Sequence, residues 1–428
     1  MDKKNILVFP CGSEIGLEIH RALGFNKMLK LYGGSSVDSN HGKYVFENYI
    51  DNIPQVEHPD FIEQINLIIT KYKIDFIFPA HDSVVLFLSE NRHLINCTVV
   101  GSDYETCDIS RSKGKTYEFM KGEILTPKVY FSKEDVSEFP VFLKPDVGQG
   151  SKGTYLVHNM DELEFYLKKD SSLLILEYLP GKEFTIDCFT DRHGELKFVG
   201  VRERTRVSNG ISVNTVQIKE DEKFKRIASI INSSMVFKGV WFFQLKLNIN
   251  NELSLLEIAP RVAGTMGFFR NLGVNLPLLS IYDLLGYEVE INMNQYSLEM
   301  DRALVSSFSS NLSYKNVYID FDDTLICDGK VNIILMSFVY QCLNEGKRLI
   351  LITRHKDDIN TSLKKYRLHN LFDEVIHITD KTLKSAFIDP VNSILIDDSF
   401  AERNDIASQL GIATFDLDSI ESLINLRR

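Results

Sequence analysis

Short apolar runs alternate with amphipathic segments along the first hundred positions of the chain. The short runs have the length of buried strands, and the segments between them carry apolar residues at helical spacing. The predicted strands are Asn5 to Phe9, Asp75 to Pro79 and Thr98 to Gly101, and the predicted helices are Leu17 to Leu23 and Asp82 to Glu90. Strands that alternate with helices are typical of a doubly wound parallel sheet. The pattern predicts such an α/β domain over residues 1–105.

The pattern changes in the middle of the chain, where apolar runs come in pairs. Val141 to Pro145 and Leu173 to Glu177 are predicted strands, and two further runs are joined by Asn250-Asn251, a turn-forming pair. A hairpin at this turn places Gln244 and Glu257 on adjacent strands. We predict an α+β domain over residues 106–295.

The last part of the chain returns to alternating strands and helices. Residues 296–312 are rich in Asn, Ser and acidic residues, which predicts a connection between domains. The predicted elements that follow are strands at Val317 to Phe321, Arg348 to Thr353 and Ser393 to Ile396, and helices at Ile333 to Asn344 and Asp358 to Lys365. A second doubly wound, Rossmann-like domain is therefore predicted over residues 313–428.

Composition narrows the class of protein. The 428 residues are 44% hydrophobic and 25% charged with a net charge of −11, which argues against a nucleic-acid backbone or an anionic membrane as the main partner. The six cysteines form no Cys-x-x-Cys pair, so neither a zinc knuckle nor a disulfide framework is indicated. No apolar stretch has membrane-spanning length and no signal peptide is evident. We expect a cytoplasmic enzyme.

Candidate phosphate-binding residues follow the first strand of the middle region. Lys144 supplies a fixed positive charge, and a loop follows in which glycines can expose backbone amides to phosphate oxygens. The oxygens of Gln244 and Glu257 suit a hard cation shared with phosphates. Taken singly, Lys113, Glu177 and Glu183 are better explained as solvated charges than as site residues. The order of all these parts predicts a nucleotide site.

This order of parts resembles the ATP-grasp superfamily over about residues 1 to 295, in particular its carbamoyl-phosphate-synthase-like and carboxylate-amine ligase branch. The resemblance implies ATP and Mg²⁺, or Mn²⁺ in its place, as cofactors. The residues implied to bind nucleotide are Lys113, Lys144, Gly148, Gly150, Ser151, Gly153, Glu177, Leu179 and Glu183, and those implied to bind metal are Gln244 and Glu257. Arg261 would stabilise the reacting phosphoryl or acyl-phosphate group.

The resemblance also implies a reaction in which ATP activates a small-molecule carboxylate for attack by an amine. Of Arg202, Arg204 and Arg206, we expect Arg206 to receive the acid substrate; the alternative is an exposed charged strand. Residues 10–16, the residues around Gly33-Gly34-Ser35-Ser36 and His81-Asp82 are expected to line the acceptor side of the cleft. One position departs from the family pattern, because Ala259 stands where asparagine is common and offers no ligand oxygen.

Asp320 and Asp322 form the second chemical motif. They stand two positions apart in Asp-Phe-Asp-Asp-Thr-Leu, directly after an apolar strand, so both carboxylates are expected on the same side at the strand end. Such a pair can supply an oxygen nucleophile, Asp320, and a proton donor and acceptor, Asp322.

Together with later motifs, this pair resembles the haloacid-dehalogenase-like phosphatase superfamily over residues 313–428. The resemblance implies that Thr353 binds the phosphoryl group, that Lys384 or alternatively Lys381 neutralises it, and that Asp397 with Asp398 completes a magnesium site. The implied metal ligands are Asp320, Asp322 and Asp397. The spacing between motifs leaves no room for a large cap domain, so the catalytic face should be open.

These resemblances together predict a bifunctional enzyme, a ligase fused to a phosphatase. Its expected partners are small-molecule carboxylate and amine substrates and a phosphorylated substrate for the C-terminal domain, with no nucleic acid and no membrane; a homodimer is compatible with the resemblance. Two alternatives remain open. In the first, the chain is a ligase whose C-terminal domain is a non-catalytic module. In the second, the chain is a nucleotide-responsive binding protein that has lost ligase chemistry.

Overall fold

Two compact units, divided between Leu304 and Val305, make up the chain. The structure is a computed structural model that describes residues 3–148, 150, 152–218, 222–425 and 427. Within those ranges, no helix is long and apolar enough to cross a membrane.

The larger unit begins with a parallel sheet of five strands in the order β3-β2-β1-β4-β5. Its strands are β1 (Lys4–Phe9), β2 (Leu29–Gly34), β3 (Asn48–Ile50), β4 (Phe76–Pro79) and β5 (Thr98–Val99), and its helices are α1 (Glu14–Leu23), α2 (Phe61–Tyr72) and α3 (Asp82–Glu90). Apolar side chains are buried on both faces, Ile6 and Val8 on one and Leu7 and Phe9 on the other. The predicted doubly wound arrangement is present here.

A smaller antiparallel sheet of four strands follows, in the order β6-β9-β7-β8. It is preceded by α4 (Tyr104–Arg111) and α5 (Lys113–Phe119) and consists of β6 (Val129–Tyr130), β7 (Val141–Pro145), β8 (Tyr155–Val157), α6 (Met160–Lys169) and β9 (Leu173–Glu177). Both strands predicted in this region have the predicted bounds.

A six-stranded antiparallel sheet, in the order β14-β13-β10-β11-β12-β15, completes the larger unit. Its elements are β10 (Glu183–Thr190), β11 (Leu196–Ser208), β12 (Ile211–Gln217), α7 (Glu222–Ser234), β13 (Gly239–Leu247), β14 (Leu253–Ala259), α8 (Gly267–Asn271), α9 (Leu276–Leu284) and β15 (Glu299–Asp301). The hairpin β13-β14 pairs Gln244 with Glu257, as predicted.

One continuous core joins the first sheet to the six-stranded sheet. Ile6 and Val8 of β1 belong to the same cluster as Phe242 of β13 and Phe268 of α8. The two regions that the sequence predicts as separate domains, 1–105 and 106–295, therefore share apolar packing within one unit.

The smaller unit is a parallel sheet of five strands, in the order β20-β19-β16-β21-β22, with a two-stranded hairpin. Its elements are β16 (Asn316–Ile319), β17 (Ile326–Cys327), β18 (Lys330–Val331), α10 (Ile333–Asn344), β19 (Arg348–Thr353), α11 (Ile359–Lys365), β20 (Glu374–His377), β21 (Ser393–Ile396), α12 (Phe400–Leu410) and β22 (Ala413–Phe415). Val317 and Ile319 pack on one face and Tyr318 on the other, so both faces are covered. Across residues 305–425, all described, the segments between the predicted motifs hold only the hairpin and single helices or strands.

The predicted connection 296–312 differs from the structure in one respect. Glu299–Asp301 forms the edge strand β15, which pairs with Asn214 to Val216 of β12. The apolar alternation of this segment is short: Leu298 and Met300 pack partly buried against the core cluster of Ile6 and Val8, whereas Glu299 and Asp301 are exposed at the edge of the sheet. The boundary between the two units falls within the predicted connection.

Candidate functional site

A cavity of about 180 Å³ lies between the four-stranded and six-stranded sheets. Its apolar walls include Phe142, Leu179 and Leu256, and Glu177 and Glu183 stand at its polar edge. An apolar slot with polar groups at one edge suits a planar heterocycle joined to a polar chain. The residues predicted to contact the adenosine part of ATP are thus brought together.

A larger cavity of about 730 Å³ adjoins the first. Lys113, Gln244 and Glu257 line both cavities, so one continuous cleft runs from the four-stranded sheet to the first parallel sheet. The remaining wall includes Ser13 to Ile15 and Ala80 to Asp82. Two of the three segments predicted to line the acceptor side therefore lie at the end of the cleft, whereas Gly33 to Ser36 are not among its lining residues.

Lys144 is the most perturbed cation of the cleft. Strand β7 carries it into the interior, where its side chain is 8% exposed and its Nζ donates a hydrogen bond of 2.7 Å to the hydroxyl of Tyr117. That hydroxyl donates in turn to the carbonyl of Leu256. Burial, with a smaller effect of the charge on Lys113, lowers the pKa of Lys144 to about 7. An incoming anion would favour its charged form.

Lys113 is held at the start of the predicted glycine loop by Asp146. The carboxylate of Asp146 accepts hydrogen bonds from the Ser112 hydroxyl (2.8 and 2.9 Å) and from the amide of Gly114 (2.7 Å). The Nζ of Lys113 donates to the carbonyl of Asp146 at 3.1 Å. Burial lowers the pKa of Lys113, although Glu257 acts in the opposite direction. Both predicted phosphate lysines thus face the same cleft.

The predicted glycine loop also lines the cleft. Gly148 and Gly150 border both cavities. Gly150 (φ +62°) and Gly153 (φ +70°) have left-handed backbone conformations that favour glycine, and a Cβ on Gly153 would lie 3.2 Å from a carbon of Pro145. Ser151, predicted to bind nucleotide, lies outside the described residues.

Gln244 and Glu257 present two oxygen-bearing side chains from paired strands of the hairpin. The Oε1 of Gln244 accepts a hydrogen bond of 2.9 Å from Arg204, which also pairs with Glu183. A carboxylate and an amide oxygen that face the shared part of the cleft fit a hard divalent cation. The buried Ala259, two residues beyond Glu257, lines the larger cavity and adds no oxygen there.

Arg261 is fixed at the acceptor end of the cleft. Its guanidinium forms a two-pronged ion pair with Asp82, with one contact of 3.0 Å, and donates to the carbonyl of Val262. Asp82 is at the first turn of α3. Burial alone would raise the pKa of Asp82, but the charge and hydrogen bonds of Arg261 outweigh it and lower the pKa. Arg261 therefore presents a fixed positive charge to the larger cavity.

The comparisons with known proteins agree with this arrangement. Residues 169–303 match the family model described as ATP-grasp in the biosynthetic pathway with Ter operon. A D-alanine–D-alanine ligase from Petrotoga mobilis is 26% identical over 186 residues, which are 37% of this chain and 62% of that protein. The arginine-specific carbamoyl phosphate synthase large chain of Halalkalibacterium halodurans is 25% identical over 205 residues, 43% of this chain and 19% of that one. The chain thus spans less than two thirds of either relative.

A solved structure shows the fold. The biotin carboxylase domain of Hydrogenobacter thermophilus 2-oxoglutarate carboxylase, determined with MgADP, ADP and bicarbonate, matches 68% of this chain and 72% of its own with a TM-score of 0.55 at 16% identity. The larger unit has the ATP-grasp fold. The predicted resemblance to ATP-grasp proteins, carbamoyl phosphate synthase among them, is confirmed at this level.

Arg206 does not join the cleft of the ATP-grasp unit. Its side chain is 59% exposed and pairs with Asp301 at 2.8 Å, whereas Arg202 and Arg204 line the larger cavity. The pairing of β11 with β12 shifts by one residue between Arg204 and Arg206, and a bulge of this kind turns the following side chain away. Of the two interpretations given for Arg206, its position fits the exposed charged strand and not a residue that lines the cleft.

A second cluster lies in the smaller unit. The Nζ of Lys384 donates to Asp320 at 2.7 Å and to Asp397 at 2.6 Å, and all three side chains are buried. Burial raises the pKa of Asp320 to about 7, although Lys384 opposes the shift. Burial would lower the pKa of Lys384, but attraction to the two carboxylates raises it overall. Of the two predicted lysines, Lys384 lies at the carboxylates and Lys381 is exposed.

The carboxylates that converge are those of Asp320, Asp397 and Asp398, whose ligand atoms lie within 4.8 Å of one another. Three carboxylates suit a hard divalent cation. Asp322 lies outside this group: its side chain is 51% exposed and both oxygens are 2.9 Å from the Nδ1 of His355. The two-residue period is not kept, because the chain leaves the extended conformation after β16 and turns at Asp323 (φ +54°).

Thr353 ends β19 and is fully buried, and its hydroxyl accepts a hydrogen bond from the amide of His355 at 3.1 Å. The predicted phosphoryl-binding group thus lies at the carboxyl edge of the same parallel sheet as Asp320.

Four residues of the two clusters carry roles that sequence reasoning missed: Tyr117, Asp146, His355 and the Asp82 side chain as partner of Arg261. Asp146 directly follows Lys144-Pro145, and His355 follows Thr353 by two positions, so proximity along the chain is the signal that could have found these two. Tyr117 and Asp82 reach their partners only through tertiary packing, at separations of 27 and 179 residues.

Proposed function

We propose that the larger unit is an ADP-forming ligase that joins a small-molecule carboxylate to an amine through an acyl phosphate, with Mg²⁺ as cofactor. The observation that carries the proposal is the continuous cleft, which has the buried Lys144 at its nucleotide end and the fixed Arg261 at its acceptor end. The similarity to a D-alanine–D-alanine ligase supports the same class of reaction.

Each residue of the cleft has a part in this reaction. Lys144 and Lys113 neutralise the phosphates, and the carboxylate oxygen of the substrate attacks the terminal phosphorus while the bond to the ADP oxygen breaks. The amine nitrogen then attacks the acyl carbon, the bond to the phosphate oxygen breaks, and one proton leaves the nitrogen. Arg261 stabilises the negative charge of this adduct. Gln244 and Glu257 would hold Mg²⁺, which offsets phosphate charge when bound.

We further propose that the smaller unit is a Mg²⁺-dependent phosphatase of the haloacid-dehalogenase-like type. Asp320 is the nucleophile, Lys384 and Thr353 bind the phosphoryl group, and Asp322 exchanges the proton. Asp320, Asp397 and Asp398 would hold the cation, in place of the set with Asp322 that the sequence predicts. The absence of a cap-sized insertion in residues 305–425 suits a bulky substrate.

Phosphorus NMR of ATP and Mg²⁺ with carboxylate and amine pairs added in turn tests the ligase. We expect ADP and phosphate with a particular pair, no ADP in Lys144→Ala, and unchanged ADP formation in Asp320→Asn. Hydrolysis of an aryl phosphate tests the phosphatase. We expect Asp320→Asn to abolish this hydrolysis and Lys144→Ala to leave it unchanged, so each variant is the control for the other. ATP binding without ADP from any pair would overturn the ligase in favour of a nucleotide-responsive binding protein. Aryl phosphate hydrolysis that survives Asp320→Asn would overturn the phosphatase.

A further inference from the structure

We propose that His355 is a positioning residue that orients the carboxyl group of Asp322 toward the leaving-group oxygen of a phosphate ester. The proposal rests on the phosphatase proposed above. It concerns a contact between two side chains at the mouth of that site, Asp322 with half of its surface exposed and His355 with 13%.

Among the described residues, the carboxyl group of Asp322 is held by the side chain of His355. Both of its oxygens lie 2.9 Å from the Nδ1 of His355. An exposed aspartate on a turn otherwise samples several rotamers, and fixing one of them requires a rigid partner. His355 is such a partner only if its own ring is fixed.

Apart from Asp322, two contacts fix the ring of His355. Its Nε2 is 2.8 Å from the Ser362 hydroxyl of α11, and the ring packs edge-to-face with Phe321 at a centroid distance of 4.9 Å and an angle of 68°. Helix α11 is itself anchored, because Asp358 caps its first turn and Leu363 is buried in the core. The ring therefore bridges a helix of the core and the exposed carboxyl group.

The backbone of His355 is fixed as well. Its amide donates to the hydroxyl of Thr353 at 3.1 Å, and its carbonyl accepts a hydrogen bond of 2.7 Å from the Nε2 of His377. Thr353 and His377 are paired residues of neighbouring strands β19 and β20. Few residues of a surface loop are held at the amide, the carbonyl and both ring nitrogens, and this degree of restraint is what a positioning residue requires.

The contact suits both halves of the reaction. In the first half, the Asp320 oxygen attacks phosphorus, the ester P–O bond breaks, and Asp322 gives its proton to the departing oxygen, while its other oxygen accepts the Nδ1–H of His355. In the second half, water attacks the phosphorus, the bond to Asp320 breaks, and Asp322 takes one proton from the water. The Nδ1–H donates throughout, and Ser362 donates to Nε2, so His355 neither gains nor loses a proton.

A purely structural role for His355 makes a different prediction from a positioning role. General-acid assistance matters for poor leaving groups and little for good ones. Loss of orientation at Asp322 must therefore slow phenyl phosphate far more than p-nitrophenyl phosphate. Damage to the fold or to Asp320 would slow both equally.

The experiment compares the two aryl phosphates with the full chain and Mg²⁺ for the wild type, His355→Phe, His355→Asn and Ser362→Ala. In His355→Phe the ring packing stays and both nitrogens are lost. We expect kcat/KM for phenyl phosphate, which reports the steps up to release of phenol, to fall about 100-fold, with kcat/KM for p-nitrophenyl phosphate changed less than about 5-fold. The amide nitrogen of His355→Asn lies close to the position of Nδ1, so most of the loss should be recovered. Ser362→Ala should show the same selectivity to a smaller degree.

Equal losses on both substrates in His355→Phe and in Ser362→Ala would overturn the positioning role. So would a His355→Asn variant that is no better than His355→Phe. Thermal melting of each variant identifies misfolding. If the His355 variants are misfolded, the test rests on the leaving-group selectivity of Ser362→Ala, which removes a single hydroxyl. A wild type that hydrolyses neither ester would overturn the phosphatase itself, an outcome distinct from activity without leaving-group selectivity.

Discussion

The chemistry of single residues in the cleft is set by burial. Lys144 is placed inside by the apolar strand β7, and its hydrogen-bond partner among the described residues is the hydroxyl of Tyr117, a neutral group. A buried ammonium without a carboxylate partner loses hydration that a hydroxyl does not replace, which is why its pKa falls to about 7. Lys384 is also buried, yet its pKa is raised because two carboxylates contact it. Two buried lysines therefore differ in charge balance: Lys144 has a neutral partner, whereas the charge of Lys384 is offset by two carboxylates.

The binding of MgATP should therefore take up a proton at Lys144. With a pKa of about 7 in the free protein, Lys144 is about nine tenths neutral at pH 8 and about one tenth neutral at pH 6. The phosphates favour the ammonium, so about 0.9 proton is bound at pH 8 and about 0.1 at pH 6, and affinity falls as the pH rises above 7. Calorimetry in buffers of different ionisation enthalpy measures this uptake.

The control for proton uptake is Lys152→Met. Lys152 lines both cavities but has an exposed side chain, so its loss weakens binding without changing the proton count. Heats at pH 8 that are independent of the buffer would contradict a neutral Lys144 in the free protein.

Between elements, Asp146 connects strand β7 to helix α5. Its carboxylate accepts from Ser112 and Gly114 on either side of Lys113, and its carbonyl accepts from Lys113 itself. In Asp146→Asn, one carboxylate oxygen becomes an amide NH₂ group that faces the Ser112 hydroxyl or the Gly114 amide, both of which are donors. The start of α5 should therefore move relative to the predicted glycine loop. We expect the KM for MgATP to rise about tenfold, with kcat changed less than about threefold, because ground-state binding is lost.

The matched control is Lys115→Met on the same helix. Lys115 pairs at 2.7 Å with Asp108, and half of its side chain is exposed, so this ion pair contributes little. Steady-state kinetics should show a raised KM for MgATP in Asp146→Asn and an unchanged KM in Lys115→Met. Equal KM values for Asp146→Asn and the wild type would show that β7 and α5 hold their positions without this carboxylate.

Strands made of a short, fully buried apolar run could be predicted from the sequence. The direction of a side chain next to a bulge or a turn could not. The strands Val141–Pro145, Leu173–Glu177 and Ser393–Ile396 have the predicted bounds because each is a short buried run. Asp322 was placed by a two-residue period, and a turn removes that period. The bulge before Arg206 has no signal in the sequence either. The strand β15 has only a short apolar signal, Leu298 and Met300, and pairs with β12 through its backbone.

The candidate clusters were predictable in composition but not in their internal contacts. Lys144, Glu257 and Asp320 were identified because each lies at or next to the end of a predicted strand. Lys384 was identified only through the resemblance to haloacid-dehalogenase-like phosphatases. Their partners come from elements that are distant along the chain, such as Tyr117 for Lys144. No periodicity encodes such a pairing, which depends on how helix α5 packs on the sheet.

At the scale of the whole molecule, the two units have separate hydrophobic cores, and ligands of one should stabilise that unit alone. Trp241 provides a selective probe, because it is the only tryptophan, is fully buried in the larger unit and stacks on Phe237 at 4.0 Å. Its fluorescence reports unfolding of the larger unit, whereas far-UV circular dichroism reports both units.

We expect two unfolding transitions that respond to different ligands. MgATP at about 100 times its Kd adds about 2.7 kcal/mol to the larger unit, a rise of about 5 °C in the fluorescence transition. Mg²⁺ with beryllium fluoride, a phosphoryl mimic, should raise the melting temperature of the smaller unit only. That transition is seen by circular dichroism and not by tryptophan fluorescence. Lys144→Ala should abolish the first shift and Asp320→Asn the second, each leaving the other intact. A single transition that coincides by both probes and moves with either ligand would mean that the two units unfold as one, since independent cores cannot share a ligand's binding energy.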